Sequence, residues 1–109
     1  MAFDEKLAKR VQSLVAGTKG LAEKRMFGGL AFLVRGNMSV GIHGNELIVR
    51  LDPAETATVL KERGTRIFDV TGRPMKGWIL VESAALRDKK ALAKWVNRGT
   101  SYAMSLPAK

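Results

Sequence analysis

The sequence predicts one α+β domain, a two-layer α/β sandwich whose sheet is mostly antiparallel. Apolar residues recur at helical spacing near both ends, and short apolar, β-branched segments separated by glycine-containing turns lie between them. The chain has 109 residues, of which 46% are hydrophobic and 27% charged, a composition that suits one globular core. We therefore expect residues 1–109 to form a single domain.

The first predicted element is an amphipathic helix over residues 3–17. Asp4 is a suitable N-cap, because its carboxylate can accept hydrogen bonds from the free amides of the first turn. Gly17 can adopt the left-handed conformation that ends a helix. The apolar stripe is made of Leu7, Val11, Leu14 and Val15.

An antiparallel meander of three or four strands follows. The segments are 24–27, 30–35, 38–43 and 46–51, and the pairs Gly36-Asn37 and Gly44-Asn45 separate the later ones. Gly-Asn pairs supply the positive φ angles that tight hairpins require. In the last segment, Leu47 and Val49 should face one side of the sheet and Ile48 the other.

The second half of the chain predicts helix, strand, strand and helix. Asp52-Pro53 is typical of a helix start, and we expect that helix to stop near Gly64. Strands are predicted at 66–70 and 77–82. The last helix should run from about 88 to 105, with Leu92, Trp95, Val96, Gly99, Ala103 and Leu106 on its packing side.

Net charge and targeting signals bear on the partners and the cellular location of the protein. The net charge of +9 favours an anionic partner, either nucleic acid or an acidic protein surface, although it also serves solubility. The chain has no cysteine, no apolar leader and no apolar run long enough to cross a bilayer. We expect a cytoplasmic protein that does not bind membranes.

Catalytic residue patterns are absent from the sequence. His43 is the single histidine, the acids are scattered, and Gly28-Gly29 lacks the context of a phosphate-binding loop. A Ser-His-Asp triad would have to use His43, and no serine has a nucleophile-elbow setting. We therefore expect a protein that is not an enzyme and that uses no cofactor or metal.

Two surfaces are candidate binding sites. The first is the segment around Gly72-Arg73-Pro74, where Arg73, Lys76 and Trp78 present two cations and an aromatic ring, unless Trp78 fills the core. The second is the side of the last helix that carries Lys90, Lys94 and Arg98 at intervals of four residues. This basic side can bind phosphates, or it can simply be a solvated outer face.

The motifs of the chain resemble the TfoX N-terminal domain family. The matching features are Met26-Phe27-Gly28-Gly29 with Phe32, Gly36-Asn37-Met38 with Gly41, Thr71-Gly72-Arg73-Pro74-Met75 with Gly77-Trp78, Trp95, and Ser105-Leu106-Pro107. The resemblance implies a secretion-chaperone-like α/β domain in the order α-β-β-β-α-β-β-α. The family includes bacterial competence regulators, TfoX or Sxy, which carry a further helical C-terminal domain and act with a cyclic-AMP receptor protein.

The resemblance and the residues together predict a bacterial regulatory or interaction module. It would act in transcription regulation through protein or DNA contacts, with no family catalytic residue to carry across. We expect a protein partner and keep nucleic acid as a second class of partner. The alternative is a self-associating or protein-binding module, which forms a homodimer or binds another protein and has no role with nucleic acid.

Overall fold

The structure, a computed structural model, describes residues 3–26, 28–69 and 75–108. Within this part of the chain, helices α1 to α3 span Glu5–Val15, Thr56–Val59 and Lys89–Ser105. Strands β1 to β6 span Leu21–Met26, Gly29–Val34, Asn37–His43, Glu46–Arg50, Thr65–Ile67 and Trp78–Val81. They form one sheet in the order β1-β2-β3-β4-β6-β5, in which all neighbouring strands pair antiparallel.

The predicted α+β class is confirmed. Four strands precede α2, as the four segments read from the residues allowed, which is one more than the order implied by the resemblance. Asp4 caps α1 by accepting from the amides of Lys6 and Leu7, as predicted. Asp88 caps α3 in the same way through the amide of Lys90.

The second helix is shorter than the sequence suggested. A 3-10 turn at Pro53–Glu55 leads into α2, which ends at Val59 rather than near Gly64. The Thr65 hydroxyl donates to the carbonyl oxygens of Val59 at 3.2 Å and Glu62 at 2.7 Å. The two bonds connect the end of α2 and the turn after it to the first residue of β5, and in the same turn the Glu62 amide donates to the Val59 carbonyl oxygen.

The main core lies between the sheet and the two long helices. Leu7, Val11 and Val15 of α1 are buried in this core. Leu92, Trp95 and Val96 of α3 are buried there as well. From the sheet, Leu30, Phe32, Val40, Ile42, Leu47, Val49, Ile79 and Val81 face them. The predicted alternation of β4 is confirmed, because Leu47 and Val49 lie in this core and Ile48 does not.

The other face of the sheet carries a smaller apolar cluster. Ala31, Ile48 and Leu80 form a row across the strands, with Gly41 between the first two. Phe68 is buried in this cluster, and Trp78 packs against it. Phe68 and Trp78 therefore shield part of this face, which none of the described helices covers.

Hydrogen bonds hold α3 at both ends. Arg10 of α1 donates to the carbonyl oxygens of Leu86, at 2.8 Å, and Arg87, at 3.3 Å, just before α3 begins. After α3 ends, the Asn37 side chain donates to the carbonyl oxygen of Pro107 at 2.8 Å. Arg35 donates to main-chain carbonyls at the same end of the helix. These bonds anchor the two ends of α3.

Gly99 brings the middle of α3 against β3. A Cβ atom at position 99 would lie 2.5 Å from the carbonyl oxygen of Ser39 and 2.6 Å from Val40 Cγ1, closer than carbon atoms approach without repulsion. Ser39 is itself fixed, because its hydroxyl donates to the carbonyl oxygen of Phe32 at 2.8 Å in a buried position. The contact therefore cannot relax easily.

We expect Gly99→Ala to destabilise the domain by about 1–3 kcal/mol, the usual cost of overpacking. Helix propensity alone would give the opposite sign, because alanine stabilises a helix interior by about 1 kcal/mol over glycine. Urea unfolding followed by circular dichroism measures the difference. The matched control is Ser101→Ala, at an exposed position of the same helix. Equal or higher stability of Gly99→Ala would contradict the packing argument.

Candidate functional site

The basic side of α3 lies against the loop that follows α2. Lys94 Nζ lies 3.1 Å from Glu62 Oε1, and Arg98 Nη1 lies 2.9 Å from Glu62 Oε2. One carboxylate thus pairs with two of the three cations that the sequence singled out. The third, Lys90, is exposed and forms no ion pair with the described residues.

The Trp95 ring contacts the same two cations. Its ring centre lies 5.2 Å from Lys94 Nζ and 4.5 Å from Arg98 Cζ, distances typical of cation–π contacts. Trp95 is only 3% exposed, so it is a fixed part of the core. The Lys94 and Arg98 side chains are therefore held in place rather than free in solvent.

Glu62 is the charged centre of this arrangement. Burial raises the cost of ionising its carboxyl group, but the hydrogen bonds and charges of Arg98 and Lys94 outweigh that cost. The pKa of Glu62 consequently lies below its ordinary value. The carboxylate is ionised at neutral pH and attaches the loop to α3.

The attached loop carries two further cations. Lys61 and Arg63 flank Glu62 in sequence and are both exposed. We call Lys61, Arg63, Lys90, Lys94 and Arg98 the α3 basic surface. Sequence reasoning missed Lys61, Glu62 and Arg63, because 32 and 36 residues separate Glu62 from Lys94 and Arg98 and no motif links them.

The candidate surface around Trp78 is partly covered by other side chains of the same protein. Arg50 Cζ lies 5.2 Å from the centre of the Trp78 ring and 5.8 Å from that of Tyr102. The centre of the Phe68 ring lies 6.2 Å from that of Trp78. Trp78 is half-buried and Lys76 is exposed. Arg73 lies outside the described residues.

Several other features bear on chemistry. The His43 ring lies edge-on to Phe68 with centres 6.4 Å apart. Among the described residues, no three histidine or acidic side chains are grouped so that they could hold a metal ion. None of the described helices combines the length and the apolar character needed to cross a membrane.

Family comparison agrees with the fold and the motifs. The model of the TfoX N-terminal domain matches residues 13–103. The chain belongs to the TfoX N-terminal domain family. A search of curated proteins and a search of solved structures gave no match. The matched residues include α2, the Glu62 loop and α3 as far as residue 103, so the α3 basic surface lies within the matched part of the chain.

Glu62→Gln should lower stability at neutral pH by less than about 1 kcal/mol, because both ion pairs are partly solvated. A lowered pKa stabilises the fold above the ordinary value of 4.5, and this contribution is lost as pH falls through the folded pKa. The difference between wild type and Glu62→Gln should therefore shrink in acid. Urea titrations between about pH 7 and pH 2 measure it.

A double-mutant cycle with Lys94→Met is the control for this prediction. The coupling between positions 62 and 94 should be present at neutral pH and absent in acid. A coupling that does not depend on pH would contradict an ionic origin for the contact.

Proposed function

We propose that this chain is a non-enzymatic regulatory module that binds the phosphate backbone of nucleic acid through the α3 basic surface. The observation that carries the proposal is the pairing of Lys94 and Arg98 with one carboxylate, that of Glu62, on a helix and a loop that also carry the exposed Lys61, Arg63 and Lys90. Family membership supports a TfoX-like module. The regulatory role, the nucleic acid and the cytoplasmic location are parts of the proposal.

The use of acids within the fold supports a positive surface. Asp4, Asp52 and Asp88 cap helical segments, and Glu46 and Glu62 form ion pairs. Glu23 accepts from the Gln12 side chain at 3.1 Å, so six of the ten acids have structural contacts, and the described ion pairs involve three cations, Arg66, Lys94 and Arg98. All of the described lysines are exposed, and their positive charge attracts polyanions.

Ordering of the cations also supports phosphate binding. Trp95 and Glu62 hold Lys94 and Arg98 in position, so these side chains lose little freedom on contact with a ligand. Lys94 is paired but still 56% exposed, which leaves donors for a phosphate oxygen. Since Glu62 carries one negative charge, the surface as a whole remains strongly positive.

The direct test is fluorescence anisotropy with labelled duplex DNA, single-stranded DNA and RNA across a series of salt concentrations. We expect binding whose logarithm falls linearly with the logarithm of salt concentration. Lys61→Glu/Lys90→Glu changes two cations that form no described ion pair. It should weaken binding and reduce the salt slope by about two.

Two comparisons make this test specific. Lys19→Glu/Lys24→Glu changes the net charge equally at exposed positions in and next to β1, and it should have a smaller effect. Glu62→Gln should tighten binding, because removal of the negative charge beside Lys94 and Arg98 should outweigh the loss of their ordering by Glu62. Equal losses in both double variants, or no wild-type binding at physiological salt, would refute the proposal.

The self-associating module remains the second candidate. The observation in its favour is β1, which lies at one edge of the sheet and has β2 as its single neighbour among the described strands. However, Glu23, Lys24 and Arg25 are consecutive exposed charges on this strand, and such charges protect natural sheet edges from pairing. Light scattering over a wide concentration range separates the candidates, because a stable dimer without nucleic-acid binding would favour self-association.

A further inference from the structure

A groove runs between α1 and the start of α3. It encloses about 520 Å³ and is lined by Lys9, Arg10, Ser13, Leu14, Lys89 and Leu92. We call it the α1–α3 groove. Its volume falls within the range of about 300–1,000 Å³ that is usual for ligand sites.

The α1–α3 groove combines an apolar base with a basic rim. Leu92 is 1% exposed, and Leu14 is half-buried and packs against the main core. Lys9 and Lys89 are exposed on opposite walls. None of the described lining residues is acidic, so the groove favours a ligand with both apolar and negatively charged parts.

Arg10 gives this groove a fixed cation. Its Nη2 atom donates to the carbonyl oxygens of Leu86 and Arg87, which holds the guanidinium group in the wall. Arginine carries five N–H donors in a planar fork, so others remain for a carboxylate. A pre-ordered arginine recognises carboxylates at a reduced entropic cost.

We propose that the α1–α3 groove docks an acidic segment of a partner protein, which places an apolar side chain against Leu14, over the buried Leu92. A nucleic-acid backbone would use the rim but would gain nothing from the two leucines. An amphipathic acidic helix uses both, with an apolar anchor in the groove and carboxylates on the lysines and the arginine.

This inference does not depend on the proposed nucleic-acid function. Lys89 and Leu92 face α1 across the groove, whereas Lys94 and Arg98 contact Glu62. The two proposed sites therefore lie on different flanks of α3. Each can be disabled by variants that leave the other unchanged.

The probe is a fluorescent synthetic peptide of about 15 residues, with leucine and phenylalanine at helical spacing and glutamate or aspartate elsewhere. A peptide of the same composition in scrambled order and one with lysine in place of the acids are the peptide controls. Anisotropy measures affinity, and amide chemical shifts from nuclear magnetic resonance locate the contact. We expect saturable binding of the acidic amphipathic peptide, with shifts concentrated in residues 9–14 and 89–92.

Two variants and their matched controls test the location. Ser13→Phe fills the groove and Lys89→Glu reverses one rim charge; each should weaken peptide binding at least about tenfold. Ser101→Phe and Lys19→Glu make the same changes at exposed positions outside the groove and should have little effect. Circular dichroism checks that all four variants are folded.

Several results would overturn the inference. These are no binding of the acidic peptide, equal binding of the scrambled or the basic peptide, and wild-type affinity in both groove variants. A loss of duplex DNA binding in Ser13→Phe would assign the groove to phosphates instead. If the wild-type protein binds the peptide but not DNA, the groove proposal stands and the nucleic-acid proposal is refuted. If it binds DNA but not the peptide, the nucleic-acid proposal stands and the groove proposal is refuted.

Discussion

Helix α3 lies against β3 where Gly99 meets the backbone of Ser39, and there is no room for a side chain between them. This contact fixes the depth of the helix over the sheet. Arg10 at one end and Asn37 at the other fix its direction. Because the helix lies at this depth, Trp95 is buried in the core, and Lys94 and Arg98 lie against its ring. The positions of the α3 basic surface and of the α1–α3 groove therefore depend on the contact at Gly99 together with the hydrogen bonds at the two ends of α3.

Acidic and basic residues occupy different places in the fold. Aspartates are used where helical segments begin, because a short acceptor at the N-cap satisfies amides that have no partner within the helix. Glu46 and Glu62 connect segments that are distant in sequence. The lysines, in contrast, have few structural contacts and remain at the surface. The excess positive charge is thus a property of the exterior, which is where a polyanion or an acidic protein would meet it.

Much of the fold could be predicted from local signals. The stripe of Leu7, Val11 and Val15 and the capping aspartates each depend on residues a few positions apart, and the structure agrees with them. The Gly-Asn pairs located both hairpins, but the positive φ angles fall on Arg35 and Gly36 in the first and on Gly44 in the second, not on the asparagines. The end of α2 could not be predicted, because it depends on the Thr65 hydroxyl. The site was predicted only in part. The helical spacing placed Lys90, Lys94 and Arg98 on one side of α3, but nothing local showed that Glu62 would pair with two of them.

The fixed position of α3 also limits how the two proposed sites can be related. A helix held at its start, middle and end cannot shift easily along or around its axis, since each of the three contacts would have to break. Occupation of the α1–α3 groove would therefore leave Lys94 and Arg98 where Glu62 holds them. A module of this kind would hold an acidic protein segment and a nucleic-acid backbone on two flanks of one rigid helix. Its effect on regulation would come from their fixed relative position rather than from a conformational switch, because a switch needs an element with two arrangements of similar energy.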